Sequence, residues 1–335
     1  MAQIAFIHGA SSFDGASLRV RPLGGTETVV AQLTEALAAR GHHLTVLTGQ
    51  PEPLDMNGVS WRPVQVGETV KADLAIAISD ATNLNYVKAT RRVVWIHNTR
   101  AFDRFLRKCG PLATFRYWPA AVVLGAYHDS KVSRFIPYSR RVVIPHAIAA
   151  PFATADPGDA SPRPPRAIHF SQPHRDAQNL VRIWIERVHP ELPGAEFHIF
   201  GGDWRPEGYS DELLAESGIV LRERLSKDGL VEEMRRARVM LYRGHKDETF
   251  CLAAAESIAM GVPVVTAGVG SLRERVCHGE TGLIGESDEE FAQATVRILT
   301  EDALWSRLHQ GGLATRGGIG WDTVAAMWEE AFLEG

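Results

Sequence analysis

The chain has 335 residues, 45% of them hydrophobic and 23% charged, with a formal net charge of −4. That length suggests about two domains of ordinary globular composition, and no run approaches the roughly 18 apolar residues of a membrane span. The net charge hides an asymmetry: residues 1–150 carry 17 Lys and Arg against 10 Asp and Glu, and residues 151–335 carry 19 against 30, which reads either as two domains with different partners or as drift in composition.

The opening stretch MAQIAFIHGA lacks a basic n-region and already reads as a strand, so no signal peptide is expected. Next comes GGTETVVAQLTEALAARGHH, where Val29, Val30, Leu33, Ala36 and Leu37 recur at helical spacing and Gly41 supplies the stop. LTVLT, DLAIAIS, RVVWIHN, AAVVLGA and RVVIPH follow as short apolar runs. Near-continuous apolar strands separated by helices predict a parallel sheet covered on both faces. Residues 149–166 then hold five prolines in 18 residues. Proline has no amide donor for a central strand, so this segment reads as a linker. The alternation restarts with RAIHFS, EFHIFGG, GIVLRE, RVMLYR and VPVVTAG, with helical patterns such as SKDGLVEEMRRA between them. WDTVAAMWEEAFLEG is one more amphipathic helix. The expected order is an N-terminal domain over 1–148, a Pro-rich linker over 149–166, a C-terminal domain over 167–318 and a last helix within 319–335.

Three cysteines, Cys109, Cys251 and Cys277, lie far apart with no CxxC, which points to a reducing cytoplasm and no zinc site. No GxGxxG follows the first strand, which argues against a nicotinamide site. In doubly wound sheets, ligands bind beyond the carboxyl ends of the strands. The residues there are informative: Gly9, His97 and Asn98, His146, 171–176, Gly201 and Gly202, 222–224, 243–248 and 268–271.

Gly24 and Gly25 precede a helix, a turn that offers backbone amides to an anion or is simply tight. Arg175, in SQPHRDAQNL, sits just ahead of a helix beginning near Asp176. A cation there opposes the helix dipole, so an anion is the expected reason for it. The stretch DETFCLAAAESIAMGVPVV carries Glu248 and Glu256 with seven residues between them. Glutamate is almost never fully buried without a partner. Thr249 is the expected N-cap of a helix over 250–260 that Gly261 ends. Glu248 then lies on the loop and Glu256 two turns along, about 80° around the axis. Two acceptors at two depths suit two hydroxyl-bearing parts of one extended ligand. The plainer alternative is one glutamate favoured by the dipole and one solvated.

The run Glu248 to Glu256, then SIAMGVPVV and GSLRERVCHGETGLI, resembles the EX7E region of family 4 glycosyltransferases. GGTETVVAQLTEALAARGH, VVWIHN, VVIPHAI, FHIFGGD and the last helix resemble further motifs of that family in the expected order. The resemblance implies the α/β GT-B fold: two Rossmann-like domains with parallel sheets facing a central cleft, and a C-terminal helix crossing back to the N-terminal domain. It also implies a retaining enzyme that takes a sugar from a nucleoside diphosphate to an acceptor hydroxyl. No acidic metal-binding cluster is evident between the strands, so no metal or other cofactor is expected. By that resemblance Glu248 binds the donor sugar together with the amides of Phe250, Cys251 and Leu252, and Glu256 binds the ribose. Arg222, Arg224 and Leu225 flank the base. Gly24 and Gly25 face the donor phosphate or the acceptor, His97 the reacting sugar, and Glu27 and Arg100 the acceptor side.

The chain also departs from the pattern. Gln172 and Gln178 stand at the spacing where the family often has an Arg and a Lys for the diphosphate, leaving Arg175 as the nearest replacement. Cys251 replaces a frequent glycine, and His146 stands where asparagine is usual. Gln172 and Gln178 motivate a second expectation, a non-catalytic GT-B relative that binds a sugar nucleotide or scaffolds a partner. A GT-B sugar-nucleotide epimerase is a third.

One signal stands apart. Residues 97–118 interleave Arg100, Arg104, Arg107, Lys108 and Arg116 with Phe102, Phe105, Phe115, Tyr117 and Trp118. Such a stretch suits an anionic lipid surface or an anionic acceptor, or is a helix pair with snorkelling arginines. No nucleic-acid module is recognisable. The expected location is the cytoplasm, with peripheral contact at the inner face of the membrane.

Overall fold

A computed structural model describes residues 1–99, 115, 117–133, 138–316, 318 and 320–334, with Arg19 described by its backbone alone. The chain divides into two compact units, Met1–Ala147 with Ile319–Gly335, and Ile148–Gly318. The helices used below are α1 (Gly25–Ala39), α2 (Ala150–Thr154), α3 (Lys227–Arg236), α4 (Leu252–Ala259) and α5 (Trp321–Phe332).

The first unit is built on β1 (Gln3–His8), β2 (His43–Thr48), β3 (Leu54–Met56), β4 (Val59–Pro63), β5 (Val70–Ile78), β6 (Val87–Trp95), β7 (Ala120–Val123) and β8 (Arg141–Val143). Their order is β3-β4-β2-β1-β5-β6-β7-β8, parallel throughout except that β3 runs against β4. The strand order reverses at β1, where Ile4 lies between Leu44 of β2 and Leu74 of β5. Alternate side chains of a strand face opposite sides of the sheet. Ala5, Ile7, Ala75, Ala77 and Val94 pack on one side. Phe6 and Trp95 pack on the other, against Trp328 of α5. Val324, Ala325, Trp328 and Phe332 form the buried stripe of that last helix. Arg40 closes a fork on Glu329 at 2.9 and 2.7 Å and reaches Asp322 at 2.7 Å.

The second unit is a six-stranded parallel sheet. Its strands are β9 (Arg166–His169), β10 (Glu196–Phe200), β11 (Ile219–Arg222), β12 (Val239–Leu241), β13 (Val264–Thr266) and β14 (Gly282–Ile284), in the order β11-β10-β9-β12-β13-β14. Ala167, Phe197, Val239 and Val265 point to a core with Trp184, Phe291 and Trp305. Their neighbours Ile168, Met240 and Val264 point the opposite way, to a core with Phe152, Met234, Tyr242 and Met260. The strand order reverses between β9 and β12, so the loops that leave these two strands flank the position where such sheets take ligands.

The segment 149–166, read as a linker, is packed on the second unit. It begins with α2, whose Phe152 is fully buried in the second core. Arg163 is buried too, and donates to the carbonyls of Met234 at 2.6 Å and Ala237 at 2.9 Å. Those carbonyls end α3, where a helix leaves acceptors unsatisfied. An aromatic and an arginine bind the segment to the second unit.

Candidate functional site

Glu248 lies on the loop after β12. Its carboxylate is nearly buried, with 8% of the residue exposed. Arg175 and Tyr242 both donate to Oε2, Tyr242 at 3.0 Å. The amide of Cys251 donates to Oε1 at 3.2 Å. Arg175 arrives from the loop after β9 and Tyr242 from the end of β12, the two strands that flank the reversal. The backbone is shaped to allow this. Gly244 bridges to Val269, tying the loop after β12 to the loop after β13. The amide of Ser271 donates to the carbonyl of Glu248 at 3.1 Å. Gly270, at φ +74°, lies so close that a methyl there would meet the carbonyl of His245 at 2.4 Å and that of Glu248 at 3.0 Å.

Helix α4 starts later than its sequence suggests. The expected start was Phe250 with Thr249 as cap. The structure begins α4 at Leu252, and Cys251 caps it from the left-handed region, φ +63° and ψ +73°, with no side-chain cap bond. Glycine holds that conformation without strain and other residues do not. Burial, then the Glu248 charge, push the Cys251 thiol well above its ordinary range. Phe250 is buried beneath the Arg275 guanidinium, 4.4 Å from the ring centre. Leu252 opens the helix and is half-buried.

Glu256 sits in the first turns of α4 with 1% exposure. Lys227, the first residue of α3, donates from Nζ to both its oxygens, at 2.6 and 2.9 Å. Burial raises the Glu256 carboxyl, and the Lys227 charge opposes that rise. Neither carboxylate of the pair points into bulk solvent.

The flanking residues are arranged differently from the simplest expectation. Arg175 is engaged with Glu248 and so is not a bare cation awaiting an anion. Gln178 is held at both ends of its amide by the backbone of Glu207, each bond 2.9 Å. Arg224 is exposed and donates to Gln172 at 3.3 Å, while Arg222 pairs with Glu233 and lies over Phe200. Leu225 packs against the second core. The sequence alone does not point to Tyr242 or Lys227. Tyr242 directly follows an ordinary apolar strand and Lys227 stands at an ordinary helix start, and nothing local marks their partners.

In the first unit, Gly24 caps α1 and Gly25 is its first residue. Glu27 turns back onto that end. A methyl on Gly24 would meet its Oε2 at 2.5 Å, Ser11 donates to its Oε1 at 2.7 Å, and His8 lies 4.0 Å away. Burial lowers His8, with Glu27 acting against it. His97 follows β6, its amide donating to the Ser79 hydroxyl at 3.2 Å. Its ring packs 4.4 Å from Trp95 and 5.2 Å from His146. Burial, then His146, His8 and His128, hold His97 well below the usual histidine range, so it is neutral. Arg100 and most of the basic-aromatic stretch 97–118 lie outside the described residues. Among the described residues no cluster of His, Cys, Asp or Glu has the arrangement of a metal site. No helix among them is long and apolar enough to cross a membrane.

Two Rossmann-like units in one chain are the GT-B architecture. Three solved structures share that fold with this chain at 13–16% identity. Sucrose-phosphate synthase from Thermosynechococcus elongatus aligns with a TM-score of 0.74 over 99% of this chain and 98% of its own. WaaG, a glycosyltransferase involved in lipopolysaccharide biosynthesis, aligns at 0.71 over 99% and 100%. Anabaena Alr3699/HepE, solved in complex with UDP and glucose, aligns at 0.70 over 99% of each chain.

At the level of sequence, residues 168–301 match the family described as Glycosyl transferases group 1. That match includes the stretch that carries Glu248 and Glu256. A D-inositol 3-phosphate glycosyltransferase of Thermomonospora curvata is 37% identical over 129 residues, 37% of this chain and 30% of that protein. One of the same name from Thermobispora bispora is 32% identical over 136 residues, 39% of this chain and 31% of that protein. The matches thus span about three-tenths of the length of these curated relatives.

Proposed function

We propose that the chain is a retaining glycosyltransferase that moves a sugar from a nucleoside diphosphate to an acceptor hydroxyl on a glycolipid, a polysaccharide or a secondary metabolite. The observation that carries this reading is the paired burial of Glu248 and Glu256 beside the strand reversal of the second unit, each carboxylate held by a cation. Carboxylates so placed suit hydroxyls of a donor sugar and a ribose. The group 1 match over 168–301 and the UDP and glucose bound to the Anabaena protein of the same fold support a nucleotide-sugar donor.

In this reading the leaving diphosphate gains charge as the glycosidic bond breaks, and fixed positive groups stabilise that charge better than water does. The amino end of α4 and Arg175 are the groups assigned to it. Arg175 must then be shared between Glu248 and the diphosphate, which its partly exposed side chain permits. Neutral His97 orients the sugar and Glu27 approaches the acceptor. No divalent metal takes part in this scheme.

The test is incubation of the purified protein with UDP-, GDP- and ADP-sugars, reading binding and slow donor hydrolysis. Silence toward all of them at about millimolar concentration, a level that detects even weak binding, would sink the reading. Glu248→Ala is expected to lose transfer by about a hundredfold or more. NMR of the product anomer decides retention, and EDTA is expected to leave the rate unchanged. A second reading, a binder without turnover, is favoured by one observation: Arg175 and Gln178 are both engaged within the protein. Donor binding with no product against a broad acceptor panel would select it.

A further inference from the structure

Glu256 is the most deeply buried acid of the site, and Lys227 donates to both of its oxygens, at 2.6 and 2.9 Å. Lys227 is an unexpected residue for its place. It opens α3 just after the Ser226 cap, where a cation opposes the helix dipole. Its Nζ also lies 5.2 Å over the ring of Phe152. Yet its side chain remains 29% exposed, so the ammonium can shift without dragging the core.

We propose that Lys227 is a positioning residue whose grip on both oxygens aims Glu256, so that the carboxylate accepts both hydroxyls of a vicinal diol, the ribose of the bound nucleotide. The inference rests on the proposed function for the identity of the diol, and on the geometry alone for the grip. A protonated carboxyl has one oxygen turned donor and so cannot take one hydroxyl proton on each of its two oxygens.

The surroundings leave Lys227 as the charge acting on Glu256. Helix α2 presents no ionisable side chain to α4, and β13 carries none. The short helix Leu272–Arg275 brings Arg273, Glu274 and Arg275, of which Arg275 covers Phe250. The helix Asp302–Ala314 brings His309, which is bound to the carbonyl of Gly261 at 2.7 Å. Burial raises the Glu256 carboxyl, so loss of Lys227 lets it take up a proton at higher pH than before.

The experiment compares wild type, Lys227→Met and Lys227→Arg, each checked for folding by thermal melting. Calorimetry measures UDP, GDP and ADP affinity from about pH 6 to about pH 9, bracketing neutrality, together with the 2′,3′-dideoxy form of whichever nucleotide binds. Lys227→Met is expected to bind about tenfold or more weakly at the acid end, to recover as pH rises, and to lose its preference for the ribose over the dideoxy form. Lys227→Arg is expected to retain that preference. A flat pH profile in Lys227→Met with the ribose preference intact overturns the proposal. Independently, a carbon-13 titration of the glutamate carboxyls, assigned with Glu256→Gln, reads the ionisation of Glu256 directly. An unchanged titration in Lys227→Met overturns the proposal even if no nucleotide binds. Absence of nucleotide binding to wild type, with the titration moved upward, instead overturns the functional reading and leaves the grip standing.

Discussion

The Tyr242 hydroxyl donates to Oε2 of Glu248 at 3.0 Å, the same oxygen that Arg175 holds. The two donors come from loops of neighbouring strands, β12 and β9, so the carboxylate is fixed by the sheet and not only by its own loop. Burial, then the Glu248 charge, push the Tyr242 phenol up, so it remains a donor throughout the working pH range. Under the proposed function, Tyr242→Phe keeps the ring in the core and removes one bond to the carboxylate. The expected result is a fall in kcat/KM of about tenfold, the worth of one hydrogen bond to a charged group. Steady-state kinetics on the variant checks it, with an unchanged melting temperature showing that the core is intact. Activity equal to wild type would deny Tyr242 a role in aiming Glu248.

The loop of Glu248 depends on a second contact that is entirely backbone. Gly270 is in the left-handed region and packs against the carbonyls of His245 and Glu248. A β-carbon at that point must push one of the two loops aside. Gly270→Ala is therefore expected to destabilise the second unit by about 2–4 kcal/mol, from left-handed strain plus overpacking, and to lower activity by more than its effect on folding. Chemical denaturation and kinetics at a temperature where the variant is folded separate the two effects.

The fold was largely readable because its strands are buried on both faces. Apolar runs such as IAFIHG and VPVVTAG have little other explanation when helices alternate with them. Glu248 and Glu256 were readable through their spacing and the family resemblance. Their partners were not. Whether Arg175 meets Glu248 depends on β9 lying beside β12, and whether Lys227 meets Glu256 depends on how α3 packs near α4. Both are facts of tertiary structure with no local mark. The late start of α4 was hidden for another reason. A cysteine gives no hint of positive φ, whereas the glycine usual in the family would have given it. Proline marks 149–166 as a linker but says nothing of whether such a segment is packed. Phe152 and Arg163 carried that information.

The two described cysteines are expected to differ sharply toward alkylation. Cys251 is buried and its thiol is held protonated by burial and by Glu248, whereas Cys277 is exposed. A thiolate is the reactive form, so access and ionisation both protect Cys251. A maleimide reagent followed by peptide mass spectrometry is expected to label Cys277 in the native protein and Cys251 only after unfolding. Equal labelling of both under native conditions would contradict the burial of Cys251 beneath the Glu248 loop.

Acid is expected to destabilise both units, through different histidines. Burial lowers His128 in the first unit to about 4 from 6.5, and His169 in the second unit likewise to about 4. His128 accepts the Leu124 amide at 3.2 Å, and His169 is tied to the carbonyl of Leu241 at 2.8 Å. The unfolded chain protonates these rings first, so their stability is fully present above about pH 6.5 and drains away as pH falls toward 4. Each ring is worth on the order of 3 kcal/mol at the limit. Asp176 works in the opposite sense, because burial raises it to about 6 in the folded protein and its cost shrinks as pH falls. Glu256, also raised by burial, acts with Asp176, but the lowered His8, His97, His198 and His309 act with His128 and His169 and outnumber the two carboxyls. Urea unfolding followed by circular dichroism is expected to show stability falling steadily between about pH 6.5 and about pH 4.5. His169→Gln is expected to flatten the slope for the second unit, since glutamine does not titrate, and a slope unchanged by that substitution would remove His169 from the account.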